Sequence, residues 1–213
     1  MAEAAKWQNT SDTFKRAVNK AKELGKNSPV PLADIEELLT RSRTRLQVEF
    51  GNSERSQGKW TQAINSYEVA LNMLADLKKG QKVSADPSVA KTNNIKILVR
   101  ARDNTGPLGI TQFEIRRKIL SASVEKEEYK ATSYLKQEEY SQAIQSLQKI
   151  ISLITKSPFS KEKKFASFKE SAVHKIQENS FLQLVQEKTA YLYANYPKIF
   201  KEKFASAADS NLS

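Results

Sequence analysis

His174, the single histidine, is the one imidazole available as a general base or metal ligand near neutral pH. It follows Ser171, Ala172 and Val173 in a segment of helical spacing, where a surface or half-buried structural histidine is the preferred reading over a general base. The chain has no cysteine, which removes disulfides, thiolate zinc sites and cysteine nucleophiles, and permits a reducing compartment. Any Ser-His-Asp arrangement would have to use His174. The acidic pairs Glu36-Glu37, Glu127-Glu128 and Glu138-Glu139 are adjacent in sequence. On a helix adjacent side chains diverge, so these pairs read as solvated faces rather than as acid–base partners. Phosphate-cradling glycine loops, the helical zinc-protease motif and the EF-hand loop are all missing. The expectation is a protein that is not an enzyme and carries no cofactor or metal.

Positive charge is the stronger candidate for function. The net charge is +11, and between Lys78 and Lys118 ten basic residues face three acidic ones. Lys78, Lys79, Arg100, Arg102, Arg116, Arg117 and Lys118 are the candidate contacts to phosphate or to an acidic partner. Clustered cations attract such groups with strong salt dependence, although a merely solvated face is the default reading of any charge run.

The elements that position these residues are helices. Only 6 Gly and 6 Pro punctuate 213 residues, and Lys, Glu, Gln, Ala and Leu fill the periodic stretches. The fold class expected is all-α, an irregular stack of antiparallel helical hairpins with about seven to nine helices. Residues 1–31 are expected to hold a helix from about Asp12 to Leu24, capped by Ser11, and a proline-containing linker. A single helical domain then covers 32–204, and 205–213 form a disordered tail. Within that domain helices are expected at about 32–57, 60–78, 86–103, 110–137, 140–154, 161–177 and 180–196, with a short terminal turn at 198–204. Gly51 falls inside the second helix, which implies close approach of another helix backbone.

Gln62-Ala63-Ile64-Asn65-Ser66 recurs as Gln142-Ala143-Ile144-Gln145-Ser146, eighty residues later. The first of these stretches resembles a tetratricopeptide repeat, a helix-turn-helix unit of about 34 residues. Phe50 and Gly51 occupy the large-then-glycine positions, Gly58 the turn, Trp60 the opening aromatic, and Ala63, Tyr67 and Ala70 the small-large-small ridge. Glu54 departs from the usual aromatic, and Ala75 stands where proline often closes the unit. In the second copy Tyr134, Tyr140, Ala143 and Leu147 keep the pattern, whereas Ala131, Glu138 and Ile150 depart from it. The resemblance implies hairpins at about 44–78 and 124–155 separated by a basic insertion at about 79–118, and it assigns Trp60 and Tyr67 to the core.

Some members of that family grip a partner's C-terminal carboxylate through Lys and Asn residues. Here Asn52 agrees, but Val48, Tyr129 and Thr132 do not, so binding of that kind is disfavoured. The function expected is a protein–protein interaction module acting as adaptor, scaffold or assembly factor. The alternative is a nucleic-acid-binding or nucleocapsid-like structural protein using segment 78–118. The N-terminus has no basic-then-apolar leader and no run of 18 apolar residues occurs, so a cytoplasmic location is expected, with the nucleus also open.

Overall fold

A computed structural model describes residues 2–80 and 108–197, with side chains over 3–77 and 108–197. Among the described residues there is no strand, and the chain is all-α. Six α-helices are present among the described residues: α1 (Ala2–Leu24), α2 (Leu32–Ser56), α3 (Trp60–Gly80), α4 (Gln112–Lys136), α5 (Tyr140–Thr155) and α6 (Lys163–Asn195), with a short 3-10 turn at Gly25–Asn27. This is fewer than the seven to nine expected, for two reasons. The expected helix at 86–103, the terminal turn and the tail lie outside the described residues, and the two helices expected between 161 and 196 are one. None of these helices is long and apolar enough to cross a membrane.

The chain divides into two compact units, Met1–Lys126 and Glu127–Ser213. In the first, α1 begins ten residues before its expected start. Ala4, Trp7, Ser11, Phe14, Val18 and Ala21 follow one another at intervals of three and four, so the inward stripe runs through Ser11 instead of starting after it. Ser11 is buried within the helix rather than capping it. Trp7 packs with Leu38, Leu46 and Leu108, and Val18 and Ala21 with Val30, Ile35 and Leu39, so α1 lies along α2. A third cluster joins Val48 of α2 and Ala63, Tyr67, Ala70 and Leu74 of α3 to Ile110, and to Ile115 and Ala122 of α4.

Three-residue turns follow α2 and α4, and they share three backbone bonds. At the first, Gln57 N–H donates to Glu54 O (3.1 Å), Gly58 N–H to Arg55 O (3.0 Å) and Lys59 N–H to Glu54 O (2.9 Å). At the second, Gln137, Glu138 and Glu139 N–H donate to Tyr134, Leu135 and Tyr134 O at 3.0, 3.1 and 3.0 Å. Gly58 is left-handed with φ 73°, and Glu138 takes the same conformation with φ 59°. Glycine adopts this backbone freely, whereas a side chain costs about 1–2 kcal/mol there. Helix bounds share the offset too: α2 and α4 both have 25 residues, and both ends of α4, like the start of α5, fall eighty residues after their counterparts.

The start of α4 is fixed by a reciprocal cap. Glu114 N–H donates to the Thr111 hydroxyl (3.0 Å), while Thr111 N–H donates to the Glu114 carboxylate (2.8 Å). In the second unit α5 packs along α6. Ala143, Leu147, Ile150 and Ile154 of α5 are buried, as are Phe159, Phe165 and Ala172. The Phe159 and Phe165 rings meet at 6.1 Å beside the Ser157-Pro158 break.

Candidate functional site

Gly51 accommodates an aromatic ring rather than a backbone. A methyl group built there would stand 2.5 Å from Tyr67 Cε1 and 2.7 Å from Cδ1. The ring fills the space that the missing side chain leaves, and Tyr67 is fully buried while Trp60 is half-buried. Its hydroxyl donates to Asn52 Oδ1 at 2.9 Å.

Asn52 sits at the centre of a polar layer that ties α2, α3 and α4 within the first unit. Its Oδ1 also accepts from Lys118 Nζ at 3.0 Å, and its own amide donates to Glu49 Oε2 at 3.0 Å. One turn on, Arg55 makes a bidentate pair with Glu125, its Nε donating at 2.7 Å and its Nη2 to the other carboxylate oxygen. Two turns before, Arg45 Nη2 donates to the Gly109 carbonyl, and its Nε is buried without a partner. Ser66 of α3 donates to Glu54 at 2.7 Å.

Burial sets the charges of this layer. It pushes the Lys118 ammonium below its ordinary pKa, with Glu49 opposing, and pushes the Tyr67 phenol above its own, with Arg55 opposing. Burial also lowers Arg45, against Glu114 and Glu49, whereas the hydrogen bonds to Glu125 hold Arg55 above the usual guanidinium value. The network fixes three helices in register. Both lone pairs of the Asn52 oxygen are used internally, and Val48 beside it is buried in the apolar cluster.

Of the seven basic candidates, three have described side chains. Arg116 and Arg117 are exposed on α4, whereas Lys118 turns inward to Asn52. Successive helical residues point about 100° apart, so the Arg116-Arg117-Lys118 run divides between solvent and interior. Lys78 and Lys79 lie in the last turns of α3, with side chains outside the described residues, and Arg100 and Arg102 lie outside altogether. His174 is exposed on α6. Among the described residues no cluster of three His, Asp or Glu could hold a metal ion.

The network residues Arg45, Glu49, Arg55 and Glu125 were not singled out by sequence. Their signal is spacing: Arg45, Glu49 and Asn52 repeat at i, i+4, i+7 on α2, as do Lys118 and Glu125 at i, i+7 on α4, which marks polar faces turned to one another. The geometry defines an all-α protein with two matching helix-turn-helix turns and a polar layer in the first unit. Compared with known proteins, the chain matches no family model, no curated protein and no solved structure.

Proposed function

We propose that the chain is a non-enzymatic protein–protein interaction module, an adaptor or assembly factor built on two tetratricopeptide-like hairpins. The observation that carries this reading is the eighty-residue correspondence of helix bounds, turn bonds and buried positions. Ala63, Tyr67, Ala70 and Leu74 are matched by Ala143, Leu147, Ile150 and Ile154, all buried. Two units that share a backbone plan but differ in outward side chains supply surface for docking rather than a reaction centre.

Phe50 on α2 and Val69 on α3 are the exposed large apolar residues of the first hairpin, and they are where a partner would rest. The test is affinity purification of the full chain from native lysate, with and without nuclease. A protein retained through nuclease and high salt, and lost from Phe50→Glu and Val69→Glu variants, supports the reading. Retention unchanged by both substitutions refutes this docking surface.

The exposure of Arg116 and Arg117 favours a second reading, in which the basic segment engages nucleic acid. Retention of RNA or DNA that falls steeply with salt, and vanishes in an Arg116→Glu/Arg117→Glu variant, would support it. Absence of retention at low salt would eliminate it.

A further inference from the structure

The C-terminal half of α6 presents its apolar residues to the wrong side for its own unit. Over its first half the helix buries Phe165, Ala172 and Asn179, which repeat every seven residues along one face. Asn179 ends that face, its amide donating to the Lys175 carbonyl at 2.6 Å. From Ser180 to Pro197 every residue is exposed except the half-buried Gln183 and Thr189. Yet this stretch carries Phe181, Leu182, Leu184, Val185, Tyr191, Leu192, Tyr193 and Tyr196. At about 100° per residue, Phe181, Val185 and Leu192 point roughly opposite to Phe165, Ala172 and Asn179. The apolar stripe therefore changes sides at Asn179 and leaves its own unit.

Three observations select the occupant. The first is size. The eight side chains are between 38% and 65% exposed; Leu184 and Tyr191 point away from the others, which leave on the order of 600 Å² of side-chain surface in water. That is the lower end of what a stable interface buries on each partner, and the upper end of what a monomer commonly leaves as one apolar patch. The second is charge. Glu187 and Lys188 are the only charged residues from Ser180 to Pro197, so a chain of net charge +11 has here a neutral face that neither draws an acidic ligand nor repels a copy of itself.

The third is symmetry. Leu182, Val185, Thr189 and Leu192 are spaced three, four, three, the interval pattern of a coiled-coil seam, and that pattern reads the same in reverse. Two such helices running antiparallel about Glu187 set Leu182 against Leu192 of the second copy and Val185 against its Thr189. A two-fold axis requires such self-complementarity.

We propose that residues 180–196 form a homodimerisation helix that pairs antiparallel with the same segment of a second copy of this chain. The proposal is independent of the partner reading above, because it rests on α6 alone.

Sedimentation equilibrium or light scattering of the full chain at micromolar concentration should give twice 24.1 kDa, unchanged in high salt. A Leu182→Glu/Leu192→Glu variant should return to the monomer mass with its helical circular dichroism intact, its dimer dissociation constant raised on the order of a hundredfold. Ala194→Glu, on the other side of the helix, should remain dimeric. Because the natural chain has no cysteine, orientation can be read directly. Val185→Cys with Thr189→Cys should cross-link under oxidation, whereas Val185→Cys alone should not. A wild-type chain that is monomeric overturns the proposal, whatever then covers the face. Cross-linking by Val185→Cys alone overturns the antiparallel arrangement.

Discussion

Gly51→Ala tests the packing of the first hairpin most directly. In an open helix this change stabilises by about 1 kcal/mol, because alanine has less backbone entropy to lose. Here the added methyl would lie 2.5 Å from Tyr67 Cε1, 2.7 Å from Cδ1 and 3.0 Å from Cζ. The ring has little freedom to retreat: it is fully buried and its hydroxyl is held by Asn52. Forcing extra volume into a filled core costs about 1–3 kcal/mol, and an overlap this deep belongs at the upper end of that range. The net expectation is a loss of about 1–2 kcal/mol.

Tyr67→Leu alone should cost about 2–3 kcal/mol through lost ring contacts and the lost bond to Asn52. The double variant should cost clearly less than the sum, with a favourable coupling of about 1 kcal/mol or more, because the smaller side chain makes room for the methyl. Eighty residues on from each position the chain already carries that combination, Ala131 and Leu147, both buried. Urea unfolding followed by tryptophan fluorescence is the assay, since Trp7 and Trp60 both lie in the first unit and report on it alone. Stabilisation by Gly51→Ala, or strict additivity with Tyr67→Leu, would refute the reasoning.

Three further outcomes follow from the geometry. Gly58→Ala should lower stability by about 1 kcal/mol, and Glu138→Gly should raise it by about 0.5–1 kcal/mol, since both positions are left-handed; equal effects of both changes on the denaturation midpoint would contradict this. Lys118, with its pKa held down by burial, sheds its proton in the folded state first, so stability should rise as pH climbs from the folded toward the unfolded pKa; Tyr67, with its pKa held up, should lower stability above about pH 10, where the unfolded chain ionises first. Lys118→Met should abolish the rise and Tyr67→Phe the fall in urea midpoints measured across that range. Glu125→Ala should cost about 1 kcal/mol by removing the bidentate partner of Arg55, and the loss should shrink in molar salt because the pair is partly exposed; a loss indifferent to salt would mean that packing, not charge, is responsible.

The helices were legible where periodicity and punctuation agree. The α2 and α3 bounds follow from Pro31, the Gly58 turn and the aromatic at Trp60, and the observed ends lie within two residues of those expected. They misled where a capping residue sits inside a periodic stripe. Ser11 is a good cap in isolation, but it falls on the inward face of a longer helix and is buried there. The second turn lies where a break between helices was expected, although nothing in the type of Glu138 announces its left-handed backbone. The correspondence between α2 and α4 was visible only over its later part, because toward the N-terminus the shared feature is which positions are buried, such as Ile35 and Ile115 or Ser42 and Ala122, rather than which residues occupy them. The polar layer was least legible of all. A lysine next to two arginines reads as part of a basic run, and only the position of Asn52 across the helix pair shows why Lys118 departs from it.

The Gly51–Tyr67 contact also bears on how the chain avoids confusing its own halves. Two helices of equal length, α2 and α4, each followed by a similar turn and a further helix, invite exchange of partners during folding. Were α4 to pair with α3, Ala131 would be driven into the Tyr67 ring; were α2 to pair with α5, Gly51 would face Leu147 across a void. Each wrong pairing is penalised by volume, one by excess and the other by deficit. The complementary sizes at one helix crossing thus act as a lock that admits a single key, and they favour the observed pairing of α2 with α3.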